Sequence, residues 1–252
     1  MLTLNNITKR FGHIYANRNI SCTFRKGRVT ALLGDNGAGK TTLVKMMCGV
    51  HQPSAGTMML DGRPLAMHGP RDALANGITA VYQDLALVDT RDIAHNMSLG
   101  RIPTRFGGLL VDRRRMEEDA ARVIARMKAQ LPAVTTAVSR MSGGQRQAVA
   151  IGRALMQGSR LVLMDEPTAA LGIREQRMVL DLIRDLRSAG TTVVLISHNL
   201  DHVFQVADDL VILRGGRLVA EIERKDHLPD DIAKLILTGQ PRDGADNSED
   251  QE

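Results

Sequence analysis

Short apolar runs separated by polar, glycine-marked turns dominate the chain. Near the N-terminus Leu2-Thr3-Leu4, Ile20-Ser21-Cys22-Thr23-Phe24 and Val29-Thr30-Ala31-Leu32-Leu33 predict strands. Thr57-Met58-Met59-Leu60 ahead of Asp61-Gly62 predicts a strand entering a tight turn. Ile78-Thr79-Ala80-Val81-Tyr82, Leu161-Val162-Leu163-Met164 and Thr192-Val193-Val194-Leu195-Ile196 are continuous apolar runs, the pattern of strands buried on both faces. Leu210-Val211-Ile212-Leu213 and Leu218-Val219-Ala220, joined through Arg214-Gly215-Gly216-Arg217, predict a closing hairpin. Elsewhere the period lengthens. Residues 41–48 have helical composition and stop at Gly49, and a second helix, capped by Ser142, runs to Met156 and stops near Gly158. Met116, Ala120, Val123, Met127 and Leu131 recur at steps of three and four, an amphipathic stripe. Residues 174–188 form another helix. Alternating strands and helices predict an α/β parallel sheet with helices on both faces, interrupted by a helical insertion over roughly residues 84–157.

Length and charge refine this only a little. A chain of 252 residues can bury a full core. Cys22 and Cys48 give no disulfide framework, which fits a reducing compartment. Met1-Leu2-Thr3-Leu4-Asn5 lacks the marks of a signal peptide, and no apolar run approaches the ~20 residues that span a bilayer. The expectation is a soluble chain unless a partner holds it at a membrane. Of 33 basic and 28 acidic residues, residues 242–252 hold one and five, an acidic tail expected to be disordered beside a basic body. With six Phe and Tyr and no Trp, base-stacking platforms for nucleic acid are poorly supplied.

Chemistry concentrates in Gly34-Asp35-Asn36-Gly37-Ala38-Gly39-Lys40-Thr41-Thr42, between a predicted strand and a predicted helix. A glycine-rich turn lets amide N–H groups face an anion, and the helix dipole favours negative charge there. Lys40 would reach the β- and γ-phosphates of a nucleotide, and the Thr41 hydroxyl would sit on Mg²⁺. Asp165-Glu166 follow a buried strand at the edge where open α/β sheets bind ligands. Asp165 would hold Mg²⁺, and Glu166 would polarise an attacking water as general base. Gln83 leaves a strand where it could touch the metal or that water. His198, at another strand end, would contact the γ-phosphate and Glu166. A metal pair of His198 and His202 lacks a third ligand. Ser142-Gly143-Gly144-Gln145 is a second anion-facing helix start, where two glycines go beyond what an N-cap requires. Two such starts for one triphosphate predict two chains head to tail, each covering the nucleotide of the other.

In this order, residues 34–42, Gln83, Met141-Ser142-Gly143-Gly144-Gln145, Asp165-Glu166 and His198 resemble the motif set of ATP-binding cassette (ABC) ATPases, over roughly residues 1–225. The resemblance implies a P-loop NTPase (RecA-like) core with an N-terminal antiparallel β subdomain and an inserted helical subdomain, in a single domain of residues 1–241. It implies ATP and Mg²⁺ as ligands, Phe11 stacked on adenine, and Gln83 with the helical insert meeting integral-membrane permease subunits. Pro167-Thr168-Ala169-Ala170-Leu171-Gly172 departs from the family's Pro-Thr-Ser-Ala-Leu-Asp, and Met141 replaces its leucine. This loop and Asn96-Met97-Ser98-Leu99-Gly100-Arg101 resemble importers of the ribose and fructose type. That implies a homodimeric importer subunit, peripheral on the cytoplasmic face of the plasma membrane, serving a monosaccharide delivered by a periplasmic solute-binding protein. Two other readings compete: a soluble ABC ATPase of DNA repair or translation, and a P-loop small-molecule kinase. The short insertion, the single cassette and the glutamate after the strand-end aspartate disfavour both.

Overall fold

The computed structural model describes residues 1–240, so the predicted acidic tail lies outside the described residues. In chain order the strands are β1 (Leu2–Phe11), β2 (Ile14–Phe24), β3 (Val29–Leu33), β4 (Ala55–Leu60), β5 (Arg63–Pro64), β6 (Ile78–Val81), β7 (Thr104–Arg105), β8 (Leu110–Val111), β9 (Leu161–Asp165), β10 (Thr192–Ile196), β11 (Asp209–Arg214) and β12 (Arg217–Glu223). The α-helices are α1 (Lys40–Met47), α2 (Pro70–Ala75), α3 (Ile93–Ser98), α4 (Arg113–Met127), α5 (Gly143–Met156), α6 (Ile173–Ser188), α7 (Leu200–Val206) and α8 (Pro229–Thr238).

Six strands form the main sheet in the order β12-β11-β3-β10-β9-β6. All neighbours are parallel except the edge pair β11–β12, which is the antiparallel hairpin read from the sequence. Alternation along β9 shows why its run is wholly apolar. Val162 and Met164 enter the core shared with α5 and α6, while Leu161 and Leu163 enter the core shared with α1 and the second sheet. That second sheet, in the order β2-β1-β4-β5, is antiparallel. Here β1 runs much further than its first apolar triplet suggests. The pairing slips between Leu4 and Ile7, around Asn6 at φ 51°, and then resumes, so polar Asn5 and Asn6 bend the strand without ending it.

Between β6 and β9 a third core joins α3, α4 and α5 through Ile93, Met97, Met116, Ala120, Val138 and Val149. The stripe predicted for α4 overruns its end. Lys128 adopts φ 52°, and Leu131 precedes Pro132, which disfavours helical backbone there. Leu131 still packs on the core from a non-helical segment. Helices α2, α3, α7 and α8 had no counterpart in the apolar pattern. The short α3 is held partly by polar contacts: buried Asn96 bonds Val88 N–H and the carbonyls of Val88, Arg91 and Asp92.

Candidate functional site

Strand β3 ends at Leu33, and the chain turns through residues 34–39 into α1. Two glycines there are dictated by space. Gly34 has φ 143°, and a Cβ on it would stand 2.1 Å from the Leu213 carbonyl oxygen. Gly39, the N-cap of α1, has φ 95°, and its Cβ would stand 2.4 Å from the Ala16 carbonyl oxygen. Lys40 follows, with 7% of its surface exposed, and its Nζ donates to the carbonyls of Gly34 (2.6 Å) and Asp35 (2.9 Å). Burial lowers the Lys40 pKa, opposed by Glu166, Asp35 and Asp165.

A cleft of about 450 Å³ opens above this loop, lined by residues 36–42 together with Gln83, Asp165, Glu166 and His198. Strands β9 and β10 bring the last three together, since Asp165 pairs with Ile196 and Glu166 N–H donates to the Ile196 carbonyl at 3.0 Å. Glu166 sits at φ 51°, a left-handed backbone that a non-glycine residue holds only under constraint. Its Oε1 is buried without an aligned hydrogen bond and lies 3.2 Å from His198 Nε2. Burial pushes the pKa values of both Asp165 and Glu166 upward. Lys40 and then His198 oppose the shift at Asp165, and His198 is the main opponent at Glu166.

Other expected site residues lie elsewhere. Gly34 and Asp35 sit behind the cleft wall as the carbonyls holding Lys40. Phe11 is outside the cleft lining, 46% exposed, edge-on to His51 at 5.3 Å between ring centroids, with Lys9 Nζ 5.0 Å from its ring centre. His202 turns to Thr168 Oγ1 at 3.1 Å, away from any pairing with His198. Ser142, Gly143, Gly144 and Gln145 are also outside the cleft. Ser142 caps α5 in a reciprocal box: its Oγ accepts from Gln145 N–H at 3.4 Å, and its N–H donates to Gln145 Oε1 at 3.1 Å. The two glycines have a packing role that the sequence reading did not foresee. A Cβ on Gly143 would stand 2.6 Å from Leu171, and one on Gly144 would stand 2.5 Å from Met178 and 3.1 Å from the Glu175 Cβ. The start of α6 thus lies directly on the start of α5.

A family model described as "ABC transporter" matches residues 17–169. The chain belongs to the ABC transporter family. A fructose import ATP-binding protein of Rhizobium meliloti is 42% identical, over 95% of this chain and 94% of that protein. A xylose/arabinose import ATP-binding protein of Sulfolobus acidocaldarius is 36% identical over 94% of each. Among solved structures, an ATP-binding cassette of an ABC transporter in its ADP conformation is 26% identical with a TM-score of 0.81, over 94% of this chain and 95% of that one. The protein is an ATP-binding ATPase with the P-loop NTPase fold.

In this ABC ATPase the cleft suits Mg²⁺ beside nucleotide phosphates. The Thr41 hydroxyl, Gln83 amide and Asp165 carboxylate belong to residues lining the cleft and are the hard oxygen donors that could hold the ion. No group of three or more His, Cys, Asp or Glu among the described residues could hold a metal, and an ion shared with phosphates needs no such cage. Two residues that contact these elements escaped the sequence reading. Asn17 is fully buried, and its Nδ2 donates to the Gly39 carbonyl at 3.2 Å. Its signal was an amide inside a strand. Glu175 Oε2 accepts from Gly172 N–H at 3.1 Å and closes the first turn of α6. Glycine at the N-cap hid the usual capping-box signature.

Proposed function

We propose that this cassette hydrolyses ATP between two copies of the chain and so powers import of a monosaccharide through separate integral-membrane subunits. One observation carries the two-copy part. Lys40, Asp165, Glu166 and His198 gather at one cleft, while the Ser142 helix start lies outside it, so in this reading it serves a nucleotide held by a second copy. Lys40 compensates the β- and γ-phosphate charge, and Phe11, exposed at the end of β1, stacks on adenine. Thr41, Asp165 and Gln83 would hold Mg²⁺, which when bound offsets charge on the phosphate oxygens. Glu166 takes a proton from water as the water oxygen bonds to the γ-phosphorus and the bond to the β–γ bridging oxygen breaks. Burial favours this role by making Glu166 more basic than an exposed carboxylate. His198, 3.2 Å from Glu166, orients that carboxylate and meets the γ-phosphate. Ser142, Gly143, Gly144 and Gln145 of the second copy cover the same phosphate.

The sugar assignment rests on relatives named as fructose and xylose/arabinose import ATP-binding proteins. No helix among the described residues is long and apolar enough to cross a membrane; in this reading the path for solute lies in the integral-membrane subunits. The cassette then works at the cytoplasmic face, with a periplasmic solute-binding protein delivering the sugar. Reconstitution with candidate permease subunits tests this. ATP hydrolysis in the vesicles should rise with a monosaccharide-loaded binding protein. Sugar entry without ATP consumption, or no stimulation by any pentose or hexose, would refute it.

A further inference from the structure

The anion pole of α5 already has an occupant. Helices α5 and α6 begin side by side, and the Glu175 carboxylate lies between their first turns. Its oxygens are 3.6 and 3.7 Å from where a Gly143 Cβ would stand, and one accepts the Gly172 N–H at 3.1 Å. Ser142 Oγ accepts from Gln145 N–H at 3.4 Å, and its own hydrogen remains available to donate. Gly172 N–H, the Ser142 hydroxyl and the amides of Gly144 and Gly143, in that order, hold the Glu175 carboxyl below the usual range. One hydrogen bond, from Gly172 N–H, and the adjoining starts of α5 and α6 thus favour negative charge on this side chain. Gly144 brings the two helix starts close, since a Cβ there would stand 3.1 and 3.3 Å from the Glu175 Cβ and Cα, and a Cβ on Gly143 would meet the Leu171 methyl.

We propose that Glu175 is the resting counter-anion of the Ser142 helix start: its carboxylate holds the pole to which the second copy's γ-phosphate comes, and dimer closure requires it to give way. This rests on the two-copy reading above. Two anions cannot share one set of donors without repulsion, so the phosphate gains only the difference between its own contacts and those that Glu175 surrenders. Glu175 then sets the ATP concentration at which two cassettes close, while touching nothing in the cleft of its own chain. Its half-buried position leaves a path to solvent.

Glu175→Gln is the test, because glutamine also serves in a capping box and keeps the Gly172 contact while removing the charge. The variant should melt a little below wild type, because the folded chain favours this charge, but in one transition of the same steepness, which shows α6 intact. Its ATP concentration for half-maximal hydrolysis and for dimer formation should fall about threefold to tenfold, a charge–dipole effect of ordinary size. Nucleotide affinity at dilutions where the chain is monomeric should stay as in wild type. Glu175→Asp, which keeps the charge, should shift the half-maximum less than Glu175→Gln. An unchanged or raised half-maximum in Glu175→Gln would overturn the proposal, as would an equal shift in monomer affinity. Ser142→Arg separates the two ideas. If it abolishes hydrolysis while Glu175→Gln shifts nothing, the two-copy site stands and only the counter-anion fails. If it leaves hydrolysis intact, both fail.

Discussion

Glu166 combines a left-handed backbone with a buried carboxylate, and both features oppose stability in the empty protein. Burial raises its folded-state pKa, so the folded chain binds this proton more tightly than the unfolded chain does. Between the unfolded and folded values each rise in pH therefore lowers stability, and the penalty is complete above the folded value. Glu166→Gln removes the ionisable group. Its melting temperature should exceed that of wild type at pH 7–8, and the gain should vanish below about pH 4, where the carboxyl is protonated in both states. Hydrolysis by the same variant should fall roughly 10²–10⁴-fold. Near-normal turnover would move the general base elsewhere. Lys40→Ala should weaken ATP binding roughly 10- to 100-fold, the size of a lost charge-assisted contact, read by nucleotide titration. At this scale the sequence was most legible where chemistry demands rare residue order, as in residues 34–42 and 165–166. Asn17 and Glu175 were not legible, because their meaning lies in what the fold sets against them: the Gly39 carbonyl for one, the start of α5 for the other.

Among the elements, α1 depends on a cap that no side chain provides. Gly39 serves as N-cap with no side-chain bond, backed by the Ala16 carbonyl. Comparing Gly39→Ala with Gly37→Ala separates two effects. Both positions have positive φ, 95° and 82°, but a Cβ on Gly37 would meet nothing within 4 Å. Gly37→Ala should cost about 1 kcal/mol of backbone strain, and Gly39→Ala should add a further ~1–3 kcal/mol for displacing backbone. Chemical denaturation gives both values, and equal losses would show that strain alone matters. Buried strands were readable because burial on both faces leaves uninterrupted apolar runs. Helix α3 was not, because buried Asn96 stabilises it through bonds to the preceding loop. For α4 the stripe was right and the end wrong: Leu131 keeps its core contact after the helix has stopped.

For the whole molecule the expected consequence is dimerisation that tracks nucleotide. Glu166→Gln binds ATP but hydrolyses it slowly, so with Mg-ATP it should elute as a dimer where wild type at equal concentration is mostly monomeric. Gel filtration at several dilutions reads this directly, and a monomer throughout would count against closure on two nucleotides. Gly172 stands where the family resemblance places aspartate, and its N–H donates to Glu175 Oε2 at 3.1 Å.

The Ala16 carbonyl lies at a crowded crossing. A side chain on Gly39 would strike it from the start of α1, and one on Gly216, in the β11–β12 turn, would come within 2.8 Å of it. Arg18 N–H ties the same stretch of β2 to the Gly216 carbonyl at 2.7 Å. The edge hairpin, the antiparallel sheet and the phosphate loop are thus mechanically in series through three residues of one strand. A side chain placed at Gly216 would press on the same carbonyl that limits residue 39, so nucleotide affinity is expected to respond to the hairpin turn while every residue around the phosphates stays the same.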